Sequence, residues 1–188
     1  MSENLTTVKI RPETKTEIRK HVIIVRVLHN FGVLTRITSL FAGRGYNIES
    51  LTVGKTNEPN IARITIVVEG DERIIEQIIK QLRKLIETVR VRDITNVPHI
   101  ERELALIKVH AGEDRARDEI MRLVSIFRAK VVDVYTDTYT VEITGDREKI
   151  EAFIDLLRPF GIKDIARTGL LAITRESAKR KLEERMVE

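Results

Sequence analysis

The chain has no cysteine and no tryptophan, and phenylalanine, tyrosine and tryptophan together make up 4% of its 188 residues. Without cysteine there is no disulfide, no thiolate nucleophile and no thiolate metal ligand, and a reducing cytoplasm is the natural setting. With few aromatics, the core must be built from Ile, Val and Leu. No apolar run approaches the roughly 18 residues of a membrane span. The first twenty residues, MSENLTTVKIRPETKTEIRK, lack an apolar segment, so no secretory signal is expected there.

Charge of one sign is also scarce once it is placed. The net charge is +4. Residues 1–20 carry +2, residues 174–188 carry +1, and the 153 residues between them carry +1. A nearly neutral body is a poor footprint for a polyanion. Hydrophobic residues at 42% and charged residues at 33% suit a packed protein with two small cores.

Residues 1–20 are polar and aperiodic and read as a tail. Within them Thr14 to Glu17 fits a capping box. HVIIVRVL (21–28) is a β-branched strand, apolar on both faces. HNFG breaks it, and Val33, Leu34, Ile37, Leu40 and Phe41 then share a helical stripe that ends at Gly43-Arg44-Gly45. Strands follow at 46–55 and 61–69, parted by the turn KTNEPN. A second helix points Ile74, Ile75, Ile78, Ile79, Leu82 and Ile86 inward, and a strand at 88–96 closes the unit. This is the order βαββαβ, the ferredoxin-like sandwich.

The same order then recurs. A strand at 103–110, a helix at 113–127, strands at 130–136 and 138–144, a helix at 146–158 and a strand at 162–167 continue into the apolar GLLAI. Gly145-Asp146 echoes Gly70-Asp71, and Lys163-Asp164-Ile165 echoes Arg92-Asp93-Ile94. The fold expected is α+β, two tandem ferredoxin-like domains over 21–97 and 98–173, with a charged C-terminal helix at 174–188.

Catalytic constellations are missing. His21, His29, His99 and His110 have no metal-ligand spacing and read as edge or surface histidines. Gly43-Arg44-Gly45 follows a helix instead of opening one, so it is no dinucleotide turn. The RNA-recognition motif shares the βαββαβ order but reads bases with aromatics on its first and third strands. Here those strands hold none, and neither nucleic acid nor membrane is expected as a partner.

The informative segment is HNFGVL (29–34), which leads from a central strand directly into a helix. Gly32 permits an unusual φ or a close approach. The unpaired N–H groups at a helix start suit a carboxylate. An amino acid would also need an ammonium acceptor, for which Asn47 offers an amide oxygen. It would need an apolar pocket too, available from Val33, Leu34, Ile48 or Leu51. The same spacing equally describes a tight turn with no ligand. The two apolar faces of the first strand, Ile23, Val25, Val27 and Val22, Ile24, Leu28, add one more expectation. Helices cover one face, and the other suggests an interface.

Gly32-Val33-Leu34 with its flanking strand and helix resembles an ACT domain, the small-molecule sensing module of amino-acid metabolism. Leu40-Phe41 and Arg44-Gly45-Tyr46-Asn47-Ile48-Glu49-Ser50-Leu51-Thr52-Val53 resemble the signature of the acetohydroxyacid synthase small subunit. The likeness continues through HIERELALIKV (99–109), IFRAKVVDV (126–134) and ARTGLLAITR (166–175).

The resemblance implies a non-catalytic regulatory subunit with no cofactor of its own, acting in branched-chain amino acid biosynthesis. Its partner would be a catalytic large subunit using thiamine diphosphate, Mg²⁺ and FAD. It would raise that subunit's activity and confer feedback inhibition by valine, with leucine or isoleucine acting weakly. It would form a homodimer through its ACT domains, with the effector where they meet. By position, the effector site would comprise the backbone at Gly32, Val33 and Leu34 with Asn47 and Thr52, to which Ile48 adds a pocket wall and His29 and Asn30 the entrance to the corner. The family usually shows Asn-Glu-Pro-Gly before the helix, whereas here His29 and Asn30 take the first two places. An imidazole changes charge near neutral pH, which would make effector affinity pH-dependent; the alternatives are that Asn30 takes the role or that sensitivity is weak. A stand-alone amino-acid-binding ACT regulator of another enzyme is the alternative.

Overall fold

The computed structural model describes residues 18–177. The capping box at Thr14–Glu17 and nearly all of the expected C-terminal helix lie outside the described residues. The first unit comprises β1 (Arg19–Leu28), α1 (Val33–Ala42), β2 (Ile48–Lys55), β3 (Ile61–Gly70), α2 (Glu72–Leu82) and β4 (Thr88–Asp93). The second comprises β5 (His99–His110), α3 (Asp114–Ile126), β6 (Lys130–Tyr135), β7 (Thr138–Gly145), α4 (Arg147–Leu157), a 3₁₀ turn (Arg158–Phe160), β8 (Ile162–Arg167) and β9 (Leu171–Thr174).

Both sheets are antiparallel, in the orders β2-β3-β1-β4 and β6-β7-β5-β8. These are two ferredoxin-like sandwiches in tandem, as the element order predicted. β1 begins two residues earlier than its apolar run, because Arg19 pairs with Gly70 and Lys20 with Glu69.

Each unit packs its two helices on one sheet face. Ile23, Val25 and Val27 of β1 and Ile64 and Ile66 of β3 meet Ile37 and Phe41 of α1 and Ile78 and Leu82 of α2. In the second unit Ile107, Ile143, Ile120 and Phe153 form the equivalent core, and Phe127 packs 5.1 Å from Phe153 between ring centroids. The echoed Gly-Asp pairs have a shared physical cause. Asp71 caps α2 by accepting from Ile74 N at 2.8 Å, and Asp146 caps α4 by accepting from Lys149 N at 2.9 Å.

Two sequence expectations are corrected. Ile86 does not face inward: α2 stops at Leu82, turns carry the chain to β4, and Ile86 is 86% exposed. The second apolar face of β1 is covered largely within the chain. Val22, Ile24 and Val67 pack against Leu170 and Ala172, with Ile94 and Val97 beside them. The covering segment is β9, which continues the line of β8 along β5 and pairs Leu171 with Arg102 and Thr174 with His99. GLLAI is therefore the seam between the two units. Burying its Leu170 side chain contributes roughly 1.5–3 kcal/mol. Of the original apolar face, Leu28 remains exposed.

Candidate effector site and the cleft between the domains

The strand-to-helix corner is built by its backbone. Leu28 N donates to Glu87 O at 2.8 Å and His29 N to Asn60 O at 2.7 Å, which fix the end of β1. Gly32 then adopts φ 80°, ψ −5°, a left-handed conformation that favours glycine. A Cβ at Gly32 would meet nothing within 4 Å, so the corner opens outward. The helix that starts here has no side-chain cap and no acidic residue in its first turn. Its N-terminal partial charge is left uncompensated by either device.

Val33 is buried in the core, so its side chain cannot line a pocket, although its backbone stays at the corner. Leu34 and Phe31 are exposed, as are His29 and Asn30. His29 borders a cleft of about 220 Å³ formed with the turn Lys55–Ile61.

The other half of the expected site lies elsewhere. Asn47 and Ile48 stand at the start of β2, and Ile48 pairs with Val68, near the end where Arg19 meets Gly70. Gly32 lies beyond the opposite end, where Leu28 meets Ile61. The ten residues of α1 separate these ends by about 15 Å. One chain therefore brings together His29, Asn30, Gly32, Val33 and Leu34, and separately Asn47 and Ile48. Thr52 belongs to neither group. It sits mid-strand opposite Thr65, and its hydroxyl donates to Thr168 O at 3.4 Å.

The sequence reading missed what β2 does next. Directly after Ile48 the register of β2 shifts. Glu49 Oε2 then accepts from Lys20 Nζ at 2.8 Å and from Arg147 Nη1 of α4 at 3.1 Å. Ser50 Oγ accepts from Leu170 N at 2.9 Å. The loop 168–170 of the second unit thus rests on Ser50 and Thr52 of the first, while α4 reaches Glu49. A cleft of about 600 Å³ opens beside it, floored by Val22, Val67 and Leu170. On its other wall Arg167 forks both oxygens of Glu103 at 2.7 and 2.8 Å and also meets Glu151 at 2.7 Å. These bonds, against the opposing effect of burial, raise the guanidinium pKa above its already high ordinary value. The only sequence hint of this seam was the unexplained apolar GLLAI.

Contrary to the surface reading, His21 is buried, with Nδ1 3.1 Å from Asp93 Oδ2. His99 Nδ1 lies 2.6 Å from Val97 O. Among the described residues no group of three or more His, Asp and Glu could hold a metal ion, and no helix is long and apolar enough to cross a membrane.

Two tandem ferredoxin-like domains, the first with a glycine-turned, uncapped strand-to-helix corner, define the class: a tandem sandwich built like small-molecule-sensing regulatory modules. The comparisons agree and narrow it. Residues 23–90 match the profile described as "AHAS small subunit-like ACT domain", and residues 102–176 match "Small subunit of acetolactate synthase".

The chain is 60% identical over 162 residues to the acetolactate synthase small subunit of Aquifex aeolicus, covering 86% of this chain and 84% of that one. It is 50% identical over 157 residues to that of Bacillus subtilis, covering 83% and 91%. The crystal structure of the Thermotoga maritima small subunit superposes with a TM-score of 0.77 at 46% identity, covering 84% of this chain and 98% of that one. The chain belongs to the acetolactate synthase (acetohydroxyacid synthase) small subunit family, as the segment Arg44–Val53 indicated.

Proposed function

We propose that this chain is a non-catalytic regulatory subunit that binds the catalytic large subunit of acetolactate synthase, raises its activity and confers feedback inhibition by valine. The observation that carries the effector reading is the split site. Gly32 with the uncapped α1 start lies at one end of the first sheet, and Asn47 lies at the other.

β2 is an edge strand, hydrogen-bonded on one side by β3. An edge strand offers unpaired N–H and C=O groups to another strand. Antiparallel pairing of β2 with the β2 of a second copy, about a twofold axis, reverses its ends. That places the partner copy's Asn47 and Ile48 toward this copy's Gly32–Leu34 corner. Each of two equivalent sites would then take its carboxylate-binding N–H groups from one chain and its amide and apolar wall from the other.

In this reading valine shifts the dimer between two arrangements that the large subunit distinguishes. Coupling of that kind is about 1–3 kcal/mol. The test is reconstitution: acetolactate formation by the large subunit, with and without this chain, across a valine titration. Activation by the chain, with inhibition by valine only when the chain is present, supports the reading. No effect of the chain on the large subunit would leave a stand-alone amino-acid-binding regulator instead.

A further inference from the structure

A row of arginines crosses the outer face of the first sheet, the face turned away from its helices. Arg63 on β3, Arg26 on β1 and Arg90 on β4 occupy directly opposed register positions. Arg92, opposite Ile24, lies on the same face one pleat further along β4. Like charges set opposite each other across strands are unfavourable. The effect is visible at Arg63, whose pKa is lowered by burial and then by the neighbouring Arg26. Glu58 from the β2–β3 turn pairs with Arg26, and Arg63 Nη1 donates to the Ala172 carbonyl at 3.2 Å. The strand positions facing outward in this half of the sheet, from Ile24 to Leu28, Ile61 to Thr65 and Thr52 to Gly54, include no Asp or Glu.

The row does not end on bare polar surface. Arg63 shares a cleft of about 250 Å³ with Leu171 and Ile173 of β9. Those two side chains are 52% and 53% exposed, and Ile100, paired with Ile173, is 38% exposed. An apolar strip bordered by arginines has the composition of an interface. Guanidinium groups in a row match carboxylates, which they can grip through paired N–H bonds.

We propose that this face, the arginine row with the apolar outer side of β9, is where the catalytic large subunit docks, meeting it with a carboxylate-bearing surface. The proposal rests on the reading of this chain as a subunit that binds the large subunit. Two features favour that occupant over a second copy. The face lies on the flat of the sheet, so pairing of two copies through the β2 edge leaves it open. It is also assembled from both domains, β1, β3 and β4 from one and β9 from the other. A partner seated there reads the relative placement of the domains, which the Glu49–Arg147 bond helps to hold.

The experiment measures the affinity of the intact chain for the large subunit. It compares wild type, the neutral pair Arg26→Gln/Arg90→Gln, the reversed pair Arg26→Glu/Arg90→Glu, and Leu171→Asp. Circular dichroism melting and the oligomeric state of each variant serve as controls. The reversed pair should bind at least about tenfold more weakly, the neutral pair less severely, and wild-type affinity should fall with salt more steeply than that of the neutral pair. Leu171→Asp should weaken binding with little change in the salt response.

If wild type binds but both arginine pairs bind equally well with the same salt response, the docking face is wrong and the small-subunit reading survives. If wild type does not bind the large subunit at all, both fall. A change in self-association in place of large-subunit affinity would assign the face to a second copy and overturn the proposal.

Discussion

The carboxylate of Glu49 on β2 is held by Arg147 Nη1 on α4, 98 positions away, at 3.1 Å. The same oxygen accepts from Lys20 at 2.8 Å. Glu49 directly follows Asn47 and Ile48, so the segment expected to sense the effector is also the segment that clamps the second domain. In the proposed reading, a shift of β2 on effector binding would reach the second domain through the adjacent residue.

Glu49→Gln is expected to keep the fold and lose roughly 1 kcal/mol, the upper range for an accessible ion pair. Burial opposes ionisation of Glu49, but its bonds to Lys20 and Arg147 outweigh that and hold its pKa below the ordinary 4.5. A lowered carboxylate pKa stabilises the fold above the unfolded-state value and ceases to do so as pH falls through the folded-state value. Urea unfolding should therefore separate wild type from Glu49→Gln at pH 7 and bring them together as the pH drops well below 4.5. In the reconstituted enzyme the variant should bind valine but transmit it less.

Gly32→Ala tests the corner. The space around Gly32 is open, so the cost is that of the left-handed backbone alone, about 1–2 kcal/mol. Thermal unfolding should show that modest loss, while calorimetric titration should show valine affinity falling by about tenfold or more, because the added methyl group projects into the open corner where the effector carboxylate would sit.

Gly169→Ala tests the seam. Gly169 also has a positive φ of 81°, but a Cβ there would lie 2.5 Å from Ser50 Oγ and 3.1 Å from Thr52 Oγ1. The new methyl group must displace the hydroxyl that receives Leu170 N. The expected loss is about 2–4 kcal/mol, larger than for Gly32→Ala. Adding Ser50→Ala should recover part of it in a double-mutant cycle. Equal losses at the two glycines would contradict the account of the seam.

Asp71→Ala and Asp146→Ala each remove one helix cap and should each cost about 0.5–2 kcal/mol in chemical unfolding. Their near-additivity would reflect their separate cores.

Much of the fold was legible because it is local. The period-2 runs gave the strands, the apolar stripes gave the helices, and Gly70-Asp71 and Gly145-Asp146 mark cap positions that repeat. Ile86 went astray because its stripe continues past the point where α2 unwinds, and periodicity does not register a stop that turns impose. Two apolar faces on β1 were evident, but a strand pattern does not say what covers them. The answer, Leu170 and Ala172, lies nearly 150 residues on. Gly32, Asn47 and Thr52 were assigned to one effector site through the family resemblance, which also implied a site where two ACT domains meet. The antiparallel sheet sends Asn47 to the far end and turns Thr52 toward the seam, and a linear pattern does not register which end of a sheet a strand start will reach.

The most direct measurement is acetolactate formation by the large subunit reconstituted with this chain, titrated with valine, for wild type and Asn47→Ala in parallel. The account predicts that both chains raise the activity and that valine inhibits the wild-type enzyme, with the inhibition lost or shifted at least about tenfold in the variant. Activation followed by identical valine inhibition of wild type and variant would contradict the shared site, and no activation by either would contradict the regulatory function itself.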